Sequence, residues 1–237
     1  MKNWNDLPEF MKTEEVRPYY ESLKSKTGQL ILKRCFDILC SLIMIVLLSP
    51  LFIIIAIWIK IDSKGTVFYR QERITQYGKV FKIFKFRTMV SNADQIGALV
   101  TTQNDSRITK VGEKIRKYRI DEIPQLFNVF LGDMTFVGTR PEVKKYVDEY
   151  TKEMSATLLL PAGVTSIASI EFKDEDEIIG KGVKENKSID EVYIEEVLPK
   201  KMGYNLKAIT SFSFVKEIKT MIDTVLKIKE RIVIDEI

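Results

Sequence analysis

Ile38–Ile59, ILCSLIMIVLLSPLFIIIAIWI, is an uncharged apolar run of 22 residues with Ser49-Pro50 near its middle. A run of this kind is read as a membrane helix, and as a straight helix it would extend roughly 33 Å, close to the thickness of the hydrocarbon core. The segment is expected to enter lipid. A cleaved signal peptide does not fit, because the run starts late, exceeds an h-region and has no small-residue cleavage pattern behind it. The proline governs how it sits. It removes a backbone donor and clashes with the preceding turn, which bends or breaks the helix and leaves two arms, each about one leaflet deep. Lys24, Lys26, Lys33 and Arg34 precede the run within about fifteen residues, and Lys60, Lys64, Arg70 and Arg73 follow it as closely. Equal positive flanks suit a hairpin that enters and leaves by one face. A bitopic helix with a proline kink is also tolerated in membranes, so the residues alone leave both arrangements open.

Composition narrows the chemistry. The chain of 237 residues, 45% hydrophobic and 30% charged, suits one principal domain with an accessory element. Its net charge of +4 arises from 37 basic against 33 acidic residues, so local clustering matters more than the total, and nothing calls for nucleic acid. There is no histidine, which removes Ser-His and Cys-His nucleophile pairs and His-rich metal sites. Catalysis here must use carboxylates, lysines, arginines or a metal held by oxygen. Cys35 and Cys40 fit neither a zinc pattern nor a disulfide framework and point to reduced thiols in a cytoplasmic setting.

Along the chain, residues 1–37 hold a mixed helical segment, VRPYYESLKSKTGQLILKRCFD, suited to the headgroup level or equally to the surface of a soluble domain. From Asp62 to Met89, aromatic and β-branched residues alternate with basic ones around Tyr77-Gly78, which predicts a β-hairpin. Its basic face carries Arg73, Lys79, Lys82, Lys85 and Arg87, either solvated or meeting phosphates. After a polar loop, the text to Phe130 reads as helix in two pieces with a break near Ile120. In the C-terminal part, Val215, Ile218, Ile222, Val225 and Leu226 recur at helical spacing and are expected in the core.

The stretch RIDEIPQLFNVFLGDMTFVGTRPE, Arg119–Glu142, sets Asp121 and Glu122 beside Pro124 and ends on Arg140 between Thr139 and Pro141. An acidic pair before proline is ordinarily a capped helix start. Here Arg107, Lys110, Lys114, Arg116, Lys117 and Arg119 crowd the preceding residues. Fixed cations and a helix start are what a phosphate-handling site needs, with the carboxylates binding a hard cation such as Mg²⁺ or attacking phosphorus.

Two blocks carry a family resemblance: KRCFDILCSLIMIVLLSPLFIIIAIWIKIDSKGTVFYRQERITQYGKVFKIFKFRTM, and DSRITKVGEKIRKYRIDEIPQLFNVFLGDMTFVGTRP. The chain resembles the bacterial sugar transferases known as small monotopic phosphoglycosyltransferases, closely from Lys33 to Pro141 and loosely to the C-terminal helix. It departs from the family at Thr139, where proline is usual before the arginine, and this bears on the rigidity of the Arg140 loop. The resemblance implies transfer of a sugar-1-phosphate from a UDP-sugar to undecaprenyl phosphate, with release of UMP. Asp121 would be the nucleophile and form an aspartyl phospho-sugar. Glu122 would accept a proton from the lipid phosphate or help hold Mg²⁺, so that Asp121 and Glu122 are also the implied metal ligands. Arg116, Arg140 and Lys85 would bind phosphate oxygens, and Ser49-Pro50 would make the membrane helix re-entrant. The implied setting is the cytoplasmic face of a bacterial inner membrane. The sugar, the glycan pathway, self-association and the role of residues 155–200 stay open. The expected fold is α+β and mostly helical. It has three parts: an N-terminal amphipathic segment (1–37), a re-entrant helix-break-helix (38–59), and a small catalytic domain (60–237) with a β-hairpin and amphipathic interfacial helices.

Overall fold

The computed structural model describes residues 1–93, 105–172 and 174–234. The polar stretch 94–104 and the last three residues of the ERIVIDEI tail lie outside the described residues. After helix α1 (Arg17–Lys24), helices α2 (Thr27–Leu47) and α3 (Ser49–Asp62) meet at Leu48 with a bend of 60°. Pro50 has no amide proton for the Val46 carbonyl one turn earlier, and the Ser49 hydroxyl donates to that oxygen at 2.8 Å instead. The Ser-Pro pair thus bends the helix while giving the Val46 carbonyl a partner in an apolar setting. Among the described residues no single helix is long and apolar enough to cross a membrane, whereas this bent pair together is, by length and composition.

The outward face of the pair is apolar. Leu39, Leu42, Ile43, Val46 and Leu47 on α2 and Ile53, Ile54, Ile57 and Ile61 on α3 are exposed, far more contiguous apolar surface than a domain in water ordinarily shows. Its inward face explains why α2 begins well before the apolar run. Lys33, Asp37 and Ser41 are buried at spacings of four, one face of a helix. Below them lie helix α5 (Gln125–Leu131) and strand β3 (Met134–Val137). Asp37 accepts from the Thr135 hydroxyl at 2.6 Å and the Phe136 amide at 3.3 Å, while Lys33 donates to the Val137 carbonyl at 2.9 Å. Arg34 donates to the Val129 and Phe130 carbonyls at 2.7 and 2.9 Å, a cation at the negative end of α5. Ile55 and Ile59 of α3 pack with Phe86, Val111 and Ile115.

The predicted hairpin is present. Strands β1 (Phe68–Ile74) and β2 (Val80–Phe86) pair antiparallel from Phe68↔Phe86 to Ile74↔Val80, around a turn in which Tyr77 and Gly78 take positive φ. The two-piece helix is present as well: α4 (Lys110–Lys117), a 3₁₀ turn Ile120–Glu122, and α5, closed by Gly132 at φ 92°. Strand β3 pairs in parallel with β4 (Ala162–Thr165), a second small sheet that local patterning did not announce. The distal part contains short helices α6 (Lys144–Val147) and α7 (Ile167–Glu171), then α8 (Glu175–Lys184), α9 (Ile189–Val192), α10 (Leu198–Thr210) and α11 (Phe214–Ile234).

Helix α1 takes the second arrangement the sequence left open, an exposed polar face and an inward apolar one, whereas α11 lies differently from the sequence reading. Val16, Tyr20 and Leu23 are buried with Leu158, Leu159, Leu206 and Ile209, so α1 packs inward on α10. The α11 stripe is not core: Val215 is 75% exposed, Val225 67%, Ile222 55% and Leu226 53%. Helical spacing reveals an apolar face but not what covers it. In α11 the side that touches protein is the mixed one, with buried Thr220, the Thr224 hydroxyl 2.9 Å from that of Thr165, and Glu217 paired with Lys33.

Candidate active site

Four elements bring the expected site residues together. β2 supplies Lys85, α4 supplies Arg116, the 3₁₀ turn supplies Asp121 and Glu122, and the loop after β3 supplies Arg140. Local sequence sets this assembly. Arg119 takes the left-handed conformation at φ 53°, uncommon for a non-glycine residue, and this reversal ends α4 and starts the acidic turn. Asn128 of α5 accepts from the Phe84 amide at 2.8 Å and donates to the Lys82 carbonyl at 3.0 Å. That clamp fixes the edge of β2 beside the turn and delivers Lys85 to it.

The two adjacent carboxylates have opposite surroundings. Glu122 accepts from Arg140 at 2.7 Å and Lys85 at 3.3 Å through Oε1, and lies 3.5 Å from Arg119 through Oε2. Burial opposes its ionisation, but Arg140, Lys85 and Arg119 outweigh burial and hold it well below the usual carboxylate range. Asp121 accepts no hydrogen bond among the described residues. Burial first, and the neighbouring Glu122 charge second, push it up to about 6 against the pull of Lys85, Arg116 and Arg119. Lys85 is lowered by burial, and Glu122 raises Arg140. The outcome is an ion-paired glutamate that stays charged, next to an aspartate whose oxygens are open to a ligand.

Most of the basic residues noted in the sequence serve the scaffold. Arg107 pairs with Asp105, Lys114 lies over the Trp58 ring, and Lys117 lies near Tyr118. On the hairpin, Arg73 donates to the Pro141 carbonyl, Lys79 pairs with Asp133, Lys82 with Glu72, and Arg87 donates to Ser63 at the end of α3. Lys85 is the hairpin cation that pairs with the acidic turn. Arg119 was one of a crowd in the sequence, and its positive φ and proximity to Glu122 single it out. Glu142, Tyr193 and Lys201, which contact one another beside the Arg140 loop, carry no sequence signal of their own beyond Glu142 closing the quoted stretch.

No group of three or more acidic or cysteine side chains close enough to hold a metal occurs among the described residues. Mg²⁺ commonly uses one or two carboxylates and completes its shell with water and substrate phosphates. Asp121, without a hydrogen bond among the described residues and under the pull of Lys85, Arg116 and Arg119, fits that pattern; Glu122 has its Oε1 already engaged by Arg140 and Lys85. A cavity behind the Arg140 loop, lined by Gly138, Thr139, Ser166, Asn205 and Glu217 among others, does not include Asp121 or Glu122.

Comparison with known proteins places this geometry in context. The family model described as "Bacterial sugar transferase" matches residues 28–231. The chain is similar to the UDP-N-acetylgalactosamine-undecaprenyl-phosphate N-acetylgalactosaminephosphotransferase of Aeromonas hydrophila, 46% identical over 123 residues that cover 52% of this chain and 29% of that protein. It is 32% identical over 225 residues to the UDP-glucose:undecaprenyl-phosphate glucose-1-phosphate transferase of Klebsiella pneumoniae, covering 91% of this chain and 45% of that protein. It is 35% identical over 158 residues to the exopolysaccharide production protein ExoY of Rhizobium meliloti, covering 60% and 70%. The chain therefore spans less than half the length of the first two relatives and about two thirds of the third.

Proposed function

Because the chain belongs to the bacterial sugar transferase family, we propose that it transfers a sugar-1-phosphate from a UDP-sugar to undecaprenyl phosphate at a membrane surface. The observation that carries this reading is the division of labour between Asp121 and Glu122. A carboxylate attacks a diphosphate poorly unless negative charge is neutralised, and Arg116, Lys85 and Arg140 supply fixed positive charge around the attacking group. Asp121 attacks the sugar-bearing phosphorus of the donor. An Asp121 oxygen–phosphorus bond forms, the bridging phosphorus–oxygen bond breaks, and UMP leaves. The lipid phosphate oxygen then attacks the same phosphorus, the bond to Asp121 breaks, and the carboxylate is restored with a polyprenyl diphosphate sugar as product. Mg²⁺, held through Asp121 and the donor's phosphates, would supply further neutralisation of the diphosphate.

Arg140, Lys85 and Arg119 hold Glu122 in its charged form. Its contacts suit it to holding Lys85 and Arg140 at the reacting phosphorus. The apolar outer face of α2–α3, re-entrant at Ser49-Pro50, would seat the domain so that these groups lie at headgroup depth, where a polyprenyl phosphate presents its charged end. The implied setting is the cytoplasmic face of a bacterial inner membrane, in the assembly of a polysaccharide or glycoconjugate. The names of the relatives carry different sugars, so the donor is left as a UDP-sugar.

The test is nucleotide release by the purified chain in native-like lipid particles, with a panel of UDP-sugars, Mg²⁺ and undecaprenyl phosphate. UMP released with the lipid acceptor, and lost in Asp121→Asn while that variant still sediments with lipid, is the expected result. UDP release would indicate a transferase moving the sugar alone, and substantial turnover by Asp121→Asn would remove Asp121 as nucleophile.

A further inference from the structure

The loop that carries Arg140 is held from both sides. Ahead of the arginine, the Gly138 amide donates to the Thr165 carbonyl at 3.0 Å and the Gly163 amide to the Thr139 carbonyl at 2.8 Å, so β4 holds the backbone. Behind it, Arg73 Nη1 donates to the Pro141 carbonyl at 3.2 Å and the Ile74 amide to the Glu142 carbonyl at 3.0 Å. The remaining tether is made by side chains. Glu142, 7% exposed, accepts from the Tyr193 hydroxyl at 2.6 Å. Lys201 donates to the same hydroxyl at 3.0 Å and lies 3.9 Å from Glu142 and 3.3 Å from Glu175 of α8. The Tyr193 ring lies 4.5 Å from that of Tyr146, tilted by 36°, and the Tyr146 hydroxyl donates to Asp190 at 2.6 Å.

We propose that Tyr193 and Lys201 are positioning residues for Arg140: they hold Glu142, and through Pro141 they fix the arginine against Glu122 and the donor's phosphates. This rests on the phosphate role given to Arg140 above. The lever is short, because Glu142 lies two residues from Arg140 and the intervening proline has a fixed φ. Thr139, unlike a proline, leaves φ free on the leading side of the loop, and the Glu142 tether restrains the trailing side. A buried carboxylate clamped by a hydroxyl and an ammonium gives little net stability over apolar packing of similar volume, but it fixes one geometry. That is the property a phosphate-binding arginine needs, since a misplacement of about 1 Å can cost on the order of a hundredfold in rate. The distal segment 189–201 thereby acts on the site without touching substrate.

Tyr193→Phe removes one hydroxyl from this cluster. The prediction is a fall of about tenfold in kcat/KM for the UDP-sugar, the size of one lost hydrogen bond to a charged group. In an Arg140→Lys background the same change should cost less than about twofold, because the geometry it protects is already gone. Glu142→Gln, which can still accept from Tyr193, should retain several times the activity of Glu142→Leu. Independently of turnover, amide exchange in the peptide 137–143 of Tyr193→Phe should quicken severalfold. Unchanged exchange there, or an equal loss of activity in both Arg140 backgrounds, would overturn the proposal. If the wild-type chain released no UMP from any donor, the reaction assignment would fall, while the exchange measurement would still decide whether Tyr193 holds the loop.

Discussion

At the scale of the residue, the proposed chemistry turns on two adjacent carboxylates pushed to opposite sides of their ordinary range. Glu122 draws Arg140, Lys85 and Arg119, while burial first and the fixed Glu122 charge second raise Asp121. In the proposed reaction Asp121 attacks as the carboxylate, so kcat/KM should climb as pH rises through about 6, where Asp121 loses its proton. Arg116 pulls Asp121 downward, so Arg116→Gln should move that limb to higher pH; a limb that stays in place or moves down would detach Asp121 from the profile. The same shift has a consequence for stability. An aspartate raised from 3.8 to about 6 binds its proton more tightly in the folded chain. Its stabilising contribution is complete below about pH 4 and is lost as pH rises through about 6. At pH 7.5 the folded chain therefore holds a reluctant charge, and Asp121→Asn should stabilise it by on the order of 1 kcal/mol once partial solvent screening is allowed for. That is about 2–4 °C in Tm for a chain of this size. The gain should vanish at pH 4.

At the scale of the element, the bond between α2 and β3 decides whether the site keeps its place below the α2–α3 pair. Asp37 satisfies the Thr135 hydroxyl and the Phe136 amide, both buried. Asp37→Ala would leave two polar groups without partners, each costing about 1–3 kcal/mol. A loss of roughly 2–4 kcal/mol is expected on thermal unfolding in detergent, and a loss below about 1 kcal/mol would mean that water or a neighbour replaces the carboxylate. This bond also shows where sequence reading stops. The hairpin and the two-piece helix were legible because alternation, Tyr77-Gly78 and the break near Ile120 are local signals. The beginning of α2 was not: Lys33 and Asp37 look like ordinary flanking charges until β3 supplies their partners. The parallel β3–β4 pair joins residues far apart in sequence, and the α11 stripe was legible as a stripe but not as an exposed one. In the site, the acidic turn, Lys85 and Arg140 were legible through composition and resemblance. Tyr193 was not, because its importance comes from the tertiary contact with Glu142.

At the scale of the whole molecule, the bend at Ser49-Pro50 has two supports, and they predict different things. Proline disfavours a straight helix by about 3 kcal/mol. The fold adds a second restraint, since Ile55 and Ile59 are buried at 3% and 1% exposure against the same domain that α2 anchors through Lys33 and Asp37. Straightening the pair would pull α3 from Phe86, Val111 and Ile115 and expose those side chains, each worth about 1.5–3 kcal/mol of burial. Tertiary packing therefore outweighs the proline, and Pro50→Ala should keep the bend. The measurement uses single cysteines at Lys26→Cys and Lys64→Cys, with Cys35 and Cys40 replaced, in sealed vesicles treated with a membrane-impermeant maleimide. Both positions should react from the same face, in the parent and in Pro50→Ala alike. Opposite-face labelling in the parent would make the pair a kinked span. The same result confined to Pro50→Ala would show that proline, rather than the grip of the domain on α3, sets the topology.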